Sequence, residues 1–366
     1  MKRALVLFVL VAPTLLRACI NDRDTLGFEL RNRPDAQMAL TGRFERNPPL
    51  YYQMRVARLR AKGQLSPAEN DDLAVALERL GKSEEALRVL TMAGRRTGDE
   101  KYRFFANRGT FRAHRWLRRG TKRSEMHELK VAENDIARAL KINPNAHFGR
   151  EAVQLEVMRW LGRRRDPGEY GGLGGWLDGR VKAVDPIRGL AGLIMLGNAW
   201  ESPDVAIAIA ELGNGSEETF SIGEMAHARY QELLSKGKKP LDPAAAKQSL
   251  EHLLLDQTPP AGEPPVKESF RKLRDEAEDW HRARTQYMVA RLEKGRHPDA
   301  DPSFWSDWKE RAMPKLSPER GTPASTVRNR WLMIAIVAAF AVLVGICTAV
   351  LYGVLRLIQR LRPPSA

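Results

Sequence analysis

Cysteine is nearly absent: Cys19 and Cys347 are the only two in 366 residues. Two thiols cannot build a disulfide framework. Neither lies in the long central stretch, so a cysteine zinc or redox site there is excluded. Histidine is thin as well, at seven, and no two stand at i, i+3 or i+4. His127-Glu128 therefore lacks the second ligand of a zinc-binding helix. Strand-like alternation is missing throughout. Without a preceding strand, Ala76-x4-Gly81-Lys82-Ser83 matches a phosphate loop only in letters. Its spacer, Leu-Glu-Arg-Leu, is made of helix formers. The glycine-rich stretch GEYGGLGGWLDG (168–179) lacks the dinucleotide spacing and reads as a loop between helices, with Trp176 tucked in. Ser306-Asp307-Trp308-Lys309 has the serine–lysine spacing of penicillin-binding enzymes, but neither companion motif occurs. Nothing here names a catalytic residue, a cofactor or a metal.

What is abundant is positive charge. Sixty Lys and Arg face 45 Asp and Glu, a formal surplus of +15, and a hydrophobic content of 43% excludes a wholly disordered chain. The surplus is local. Residues 88–165 hold 20 basic and 8 acidic residues, and residues 101–123 contain no acid at all. Within that stretch Arg108, Arg112, Arg115 and Arg119 recur at i, i+4, i+7 and i+11, on one face of a helix. Like charges so spaced repel by a few tenths of a kcal/mol per pair, which calls for compensation. Two readings follow: a solvated face paired with acids elsewhere in the fold, or a patch for an acidic protein surface or anionic lipid headgroups.

Both ends read as membrane signals. Met1-Lys2-Arg3, the apolar run Ala4–Ala12 and a small residue at Ala18 describe a secretory signal over 1–19. Leu16-Arg17-Ala18-Cys19 resembles a bacterial lipobox, departing from it at Arg17, so lipidation of Cys19 and ordinary cleavage both stay open. Trp331–Leu355 is 25 residues without a charge, and its helix would span about 37 Å against a hydrocarbon core of about 30 Å. Arg328 and Arg330 precede it and a basic tail, 356–366, follows. A single-pass protein is expected, its main domain extracytoplasmic and its tail cytoplasmic. On that side of the membrane nucleic acid is the least suitable partner. Without a functional signal the same chain would be tail-anchored and face the cytosol.

Between the ends lies a helical array. Leu73, Leu77 and Leu80 form an i, i+4, i+7 stripe, Gly81 breaks it, and Ala86, Leu90 and Ala93 form another. These residues resemble a tetratricopeptide repeat (TPR). A second match is Ala132-x3-Ile136-x2-Ala139-Leu140 with Pro144, its partner helix being 104–117 with Gly109 at the small position. Further helices are expected at 148–161, 189–196, 204–212, 222–234 and 244–255. The resemblance implies an all-α fold, an irregular TPR-like helical-hairpin solenoid, and peptide or protein binding in its groove. The carboxylate-clamp positions hold Asp71 and Val75, which departs from that mode. The expected domains are an extension or cap (20–69), the repeats (70–257), a proline-rich linker (258–265), a capping helix (266–294), a juxtamembrane stalk (295–327) and the transmembrane helix. The function expected is a non-catalytic membrane scaffold for protein–protein interaction. An envelope enzyme would need facing carboxylates, for which only Glu133/Asp135 and Glu217/Glu218 offer themselves.

Overall fold

Ser66 opens the helix at 67–79 with a capping box: its hydroxyl accepts the Glu69 N–H, and the Glu69 carboxylate accepts the Ser66 N–H. Pro67 stands just inside that start, where its missing N–H costs nothing. In the computed structural model the described residues are 23–24, 35–94, 96–144, 149–163, 172–181, 184–214, 219–255 and 266–314. Among them every regular element is helical. The helices are α1 (Ala36–Thr41), α2 (Pro49–Ala61), α3 (Pro67–Arg79), α4 (Ser83–Met92), α5 (Gly98–Arg118), α6 (Met126–Ile142) and α7 (Arg150–Gly162). After them come α8 (Leu173–Leu177), α9 (Pro186–Leu196), α10 (Pro203–Gly213), α11 (Phe220–Ser235), α12 (Pro243–Leu255) and α13 (Val266–Leu292).

The stripes read from the sequence face the core. Leu73, Leu77, Ala86 and Leu90 are buried across the α3–α4 hairpin, and Gly81 between them adopts φ +77°. Ala132, Ile136 and Ala139 are fully buried on α6. There Gly109 lets α5 approach: a Cβ at that position would lie 2.9 Å from the Ala132 carbonyl and from Ile136 Cδ1. The glycine-rich segment is a correction. Residues 173–177 form a helical turn, α8, with Leu173 and Leu177 buried. Gly174 sits against α10, where its N–H donates to Glu211 (2.9 Å) and a Cβ would press on Ala208 O at 3.0 Å. The glycines there serve close packing.

The larger departure is closure. Several successive helices pack as pairs, α3 with α4, α5 with α6 and α10 with α11, but α13 returns to α2 and α1, and α1 also packs on α9 and α11. An open TPR-like solenoid confines each repeat to its neighbours. Among the described residues, the last helix meets the first.

A second correction concerns the stalk. The chain divides into two units, one of Met1–Thr258 with Pro264–Met313, the other of Pro259–Glu263 with Pro314–Ala366. Residues 295–313 thus belong to the first unit, where His297, Asp299 and Phe304 are buried. Prolines 298 and 302 sit in turns that carry His297 and Phe304 into the core: proline stops a helix but does not keep a turn off the core. His297 stacks on Tyr51 with ring centroids 4.6 Å apart and donates Nε2–H to the Tyr51 carbonyl (3.0 Å). Asp299 accepts from Arg55 Nε (2.8 Å) and Nη2 (2.6 Å) and from Arg58 (2.5 Å). Arg55, wholly buried, also reaches Asp24 at 2.8 and 2.9 Å. No helix among the described residues is long and apolar enough to cross a membrane. Trp331–Leu355, Cys19 and the rest of the 1–19 signal lie outside them.

Burial alone would raise the Asp299 pKa, but the Arg55 hydrogen bonds and charge, with help from His297 and Arg23, hold it down at about 2. A depressed carboxylate contributes stability above its ordinary pKa, and that stability fades as pH falls through about 2. Lowering the pH from 5 to 2 will therefore reduce amide protection, measured as exchange relative to a free amide at the same pH, in residues 296–304 ahead of α5 and α6. Asp299→Asn will show the reduced protection already at pH 7, measured by hydrogen–deuterium exchange mass spectrometry.

Candidate functional site

The arginine stripe lies on the face of α5 that meets α4 and α6. Arg108 binds Asp135 in a fork, Nε at 2.7 Å and Nη2 at 2.6 Å. Arg112 stands 3.6 Å from Glu128 and 3.8 Å from Asp135. Arg115 reaches Glu84 (2.7 Å) and Glu128 (2.5 Å), while Arg119 reaches Glu84 (2.7 Å) and Glu125 (3.7 Å). The compensation that the repelling stripe demanded comes from other helices. Burial would lower the Arg115 pKa, yet Glu128 and Glu84 outweigh it and leave the pKa raised.

The four arginines differ in exposure. Arg108 and Arg112 are only 20% and 27% exposed, and Asp135 beneath them 2%. Arg119 is 49% exposed; of its partners Glu84 is 53% exposed and Glu125 29%. Around Arg119 cluster the exposed cations Lys82, Arg88, Arg118, Lys122 and Arg123. A cleft of about 310 Å³ runs among them, lined by Gly81–Glu85, Arg88, Arg115, Arg118 and Arg119. The Gly81-Lys82-Ser83 turn is here, but Arg118 binds Ser83 Oγ and the first turn of α4 carries Glu84 and Glu85. Those acids already occupy the positive end of the helix.

Arg118 is one step off the stripe. It donates to Glu78 Oε1 (2.5 Å), as does His114 Nδ1 (3.0 Å), while His114 Nε2 donates to the Gly197 carbonyl (3.0 Å). Glu78 is fully buried in side chain, and burial would raise its pKa. His114 and Arg118 reverse that and hold the carboxyl below its usual value.

On the far side of His114 and Arg118 lies a second space, a cavity of about 370 Å³. Its walls are α5, α7, α8, α9, the start of α10 and residues 239 and 241. Asp204 in its floor accepts the N–H groups of Leu241 (2.8 Å) and Asp242 (3.3 Å), which pins that loop. Burial leaves the Asp204 pKa raised. No sequence signal marked this cavity, because its lining is gathered from separate segments whose residues each read as ordinary core.

Of the carboxylates considered for an enzyme, Asp135 is held by Arg108, and Glu133 pairs with Lys130 at 2.6 Å. Glu217 and Glu218 lie outside the described residues. Among those residues no three His, Cys, Asp or Glu side chains are grouped to hold a metal ion.

Arg108→Glu strips the buried Asp135 of its two hydrogen-bonded contacts, leaving it only Arg112 at 3.8 Å, and adds another carboxylate beside it. We expect a loss of about 3–5 kcal/mol of stability. Arg119→Glu, on the surface, will stay within about 0.5 kcal/mol of the parent. Thermal and urea unfolding of the two variants checks this ranking, and equal losses would contradict it. No protein-family model matches the chain, and neither a curated protein nor a solved structure does.

Proposed function

We propose that the protein is a membrane-anchored, non-catalytic scaffold that presents the basic tip at the end of α5 to an acidic surface of a partner protein. The observation that carries this reading is the exposed cluster Lys82, Arg88, Arg119, Lys122 and Arg123, in which Arg119 and Lys122 stay 49% and 63% exposed while paired with Glu84 and Glu125. Surface ion pairs of this kind are weak and exchange readily for a partner's carboxylates. Within the arginine stripe the reading narrows to Arg119, since Arg108, Arg112 and Arg115 are engaged in holding α5 to α4 and α6.

The anchor in this proposal is Trp331–Leu355, with the basic tail on the cytoplasmic side and the helical unit outside. The sequence features at 1–19 and the arginines flanking 331–355 support that orientation. A reporter enzyme fused after Ala366 will be active only in the cytoplasm, and activity outside would remove the topology.

For the partner, the full chain is crosslinked in native membranes and compared with the variant Arg119→Glu, Lys122→Glu, Arg123→Glu, whose helicity is checked by circular dichroism. The captured proteins are identified by mass spectrometry. We expect loss of at least one acidic protein that the parent retains. An unchanged set would reduce the tip to solvated surface.

A further inference from the structure

We propose that the cavity between α5, α7, α8, α9 and the start of α10 binds a single-chain amphipathic anion, an apolar tail of fatty-acyl size ending in one carboxylate. The inference is independent of the partner reading. Leu117, Val157, Met158, Leu161, Leu173 and Leu193 are among its apolar lining. The space opens to solvent on one side and its lining is mainly apolar, the form of a site that takes up an apolar chain. With water occupying about 30 Å³ in the liquid and a methylene taking a similar share, 370 Å³ suits one chain of about a dozen carbons. A two-chain lipid does not fit.

The wall is also incomplete in its hydrogen bonding. Gln154 and Trp160 both line the cavity and are 7% and 2% exposed. Gln154 gives its amide N–H to Thr110 (2.9 Å), but its carbonyl has no partner, and neither does the Trp160 indole N–H. Both atoms are also closed to water, so they lie behind the lining, and what the cavity offers a ligand is its apolar surface and the charge at its mouth.

Charge at the mouth selects the head. The exposed lining residues are Arg118, Asn198, Glu201 and Lys239. Glu201 is matched by Lys238 at 2.6 Å and Arg118 by Glu78 at 2.5 Å. Lys239 makes no ion pair among the described residues, so one cation is left over where the cavity opens. The basic tip beyond Arg118 adds to the same positive field.

The test uses the full chain in phosphatidylcholine nanodiscs and a dodecanoate carrying a terminal diazirine. After photolysis, peptide mass spectrometry maps the adducts. We expect labelling at Met158–Leu161 or Leu193, reduced roughly tenfold by Lys239→Glu, since reversing one charge at a few ångströms in a partly solvated site is worth about that much. Leu193→Trp, which fills the space, will abolish it. The corresponding dodecanol probe will not respond to Lys239→Glu. Should Leu193→Trp fail to fold, Lys239→Glu, a surface change, still decides the matter. Adducts confined to residues outside the cavity would overturn the proposal, as would labelling indifferent to Lys239→Glu. Cavity labelling by a diazirine-bearing phosphatidylglycerol but not by dodecanoate would also overturn it, in favour of a bilayer lipid.

Discussion

The fold turns on the Arg55 guanidinium, buried between carboxylates from the two extremes of the helical unit. Asp24 comes from before the first described helix and Asp299 from beyond the last, so one side chain on α2 joins segments about 275 residues apart in the chain. Arg23 adds a bond from its Nε to Asp72 (2.7 Å) and approaches Asp299 at 3.8 Å. A buried ion pair contributes little net energy over an apolar equivalent, but removing one partner strands the other. Such a network therefore favours closure with these particular partners. Without it, α2 and the 296–304 turns would expose Tyr51, Met288, Leu292 and Phe304, which form one apolar cluster beneath the charges.

Closure in turn positions the sites. Because α1 packs on α9, α11 and α13, the α9–α10 corner is held from one side; α3 and α5 hold it from the other. Arg79 donates to the Leu196 carbonyl (2.8 Å) and His114 to that of Gly197 (3.0 Å). These two bonds cap carbonyls at the end of α9, where orphan acceptors need donors. They also bring Glu78, His114 and Arg118 against the cavity, so the basic tip and the apolar space share a wall. In an open array the same corner would be a loop at the edge of one repeat.

The arginines of α5 show how one charged stripe can be divided between two tasks. Toward the middle of the helix, Arg108 and Arg112 meet acids of α6 and act as packing elements. Arg108 also lies over the Phe104 ring, with its Cζ 4.5 Å from the centroid. Toward the C-terminal end the acids thin out and become exposed, leaving Arg119 and its neighbours with weakly held charge. The concentration of cations at the C-terminal end of α5 is favourable in itself, since cations complement the carbonyl end of a helix.

Much of the helical plan was legible in the residues. The Leu73–Leu77–Leu80 stripe, Gly81, the Ala132–Ile136–Ala139 face and Gly109 each state a local rule, and local rules survive folding. Helices expected at 148–161, 189–196, 204–212, 222–234 and 244–255 correspond to α7, α9, α10, α11 and α12 to within about three residues. Composition misread the glycines near 174 and the prolines near 300, because those residues say that the backbone turns or approaches closely but not what it approaches. By itself the sequence determined the all-α class, the hairpin periodicity, the uncharged 331–355 run and the concentration of basic charge, all of which depend on neighbours a few residues apart. Only the tertiary structure decided that α13 closes on α2, that Asp135 and Glu128 neutralise the arginine stripe, and that a cavity opens beside Arg118. Each of those depends on residues tens to hundreds of positions apart, whose pairing carries no local periodicity.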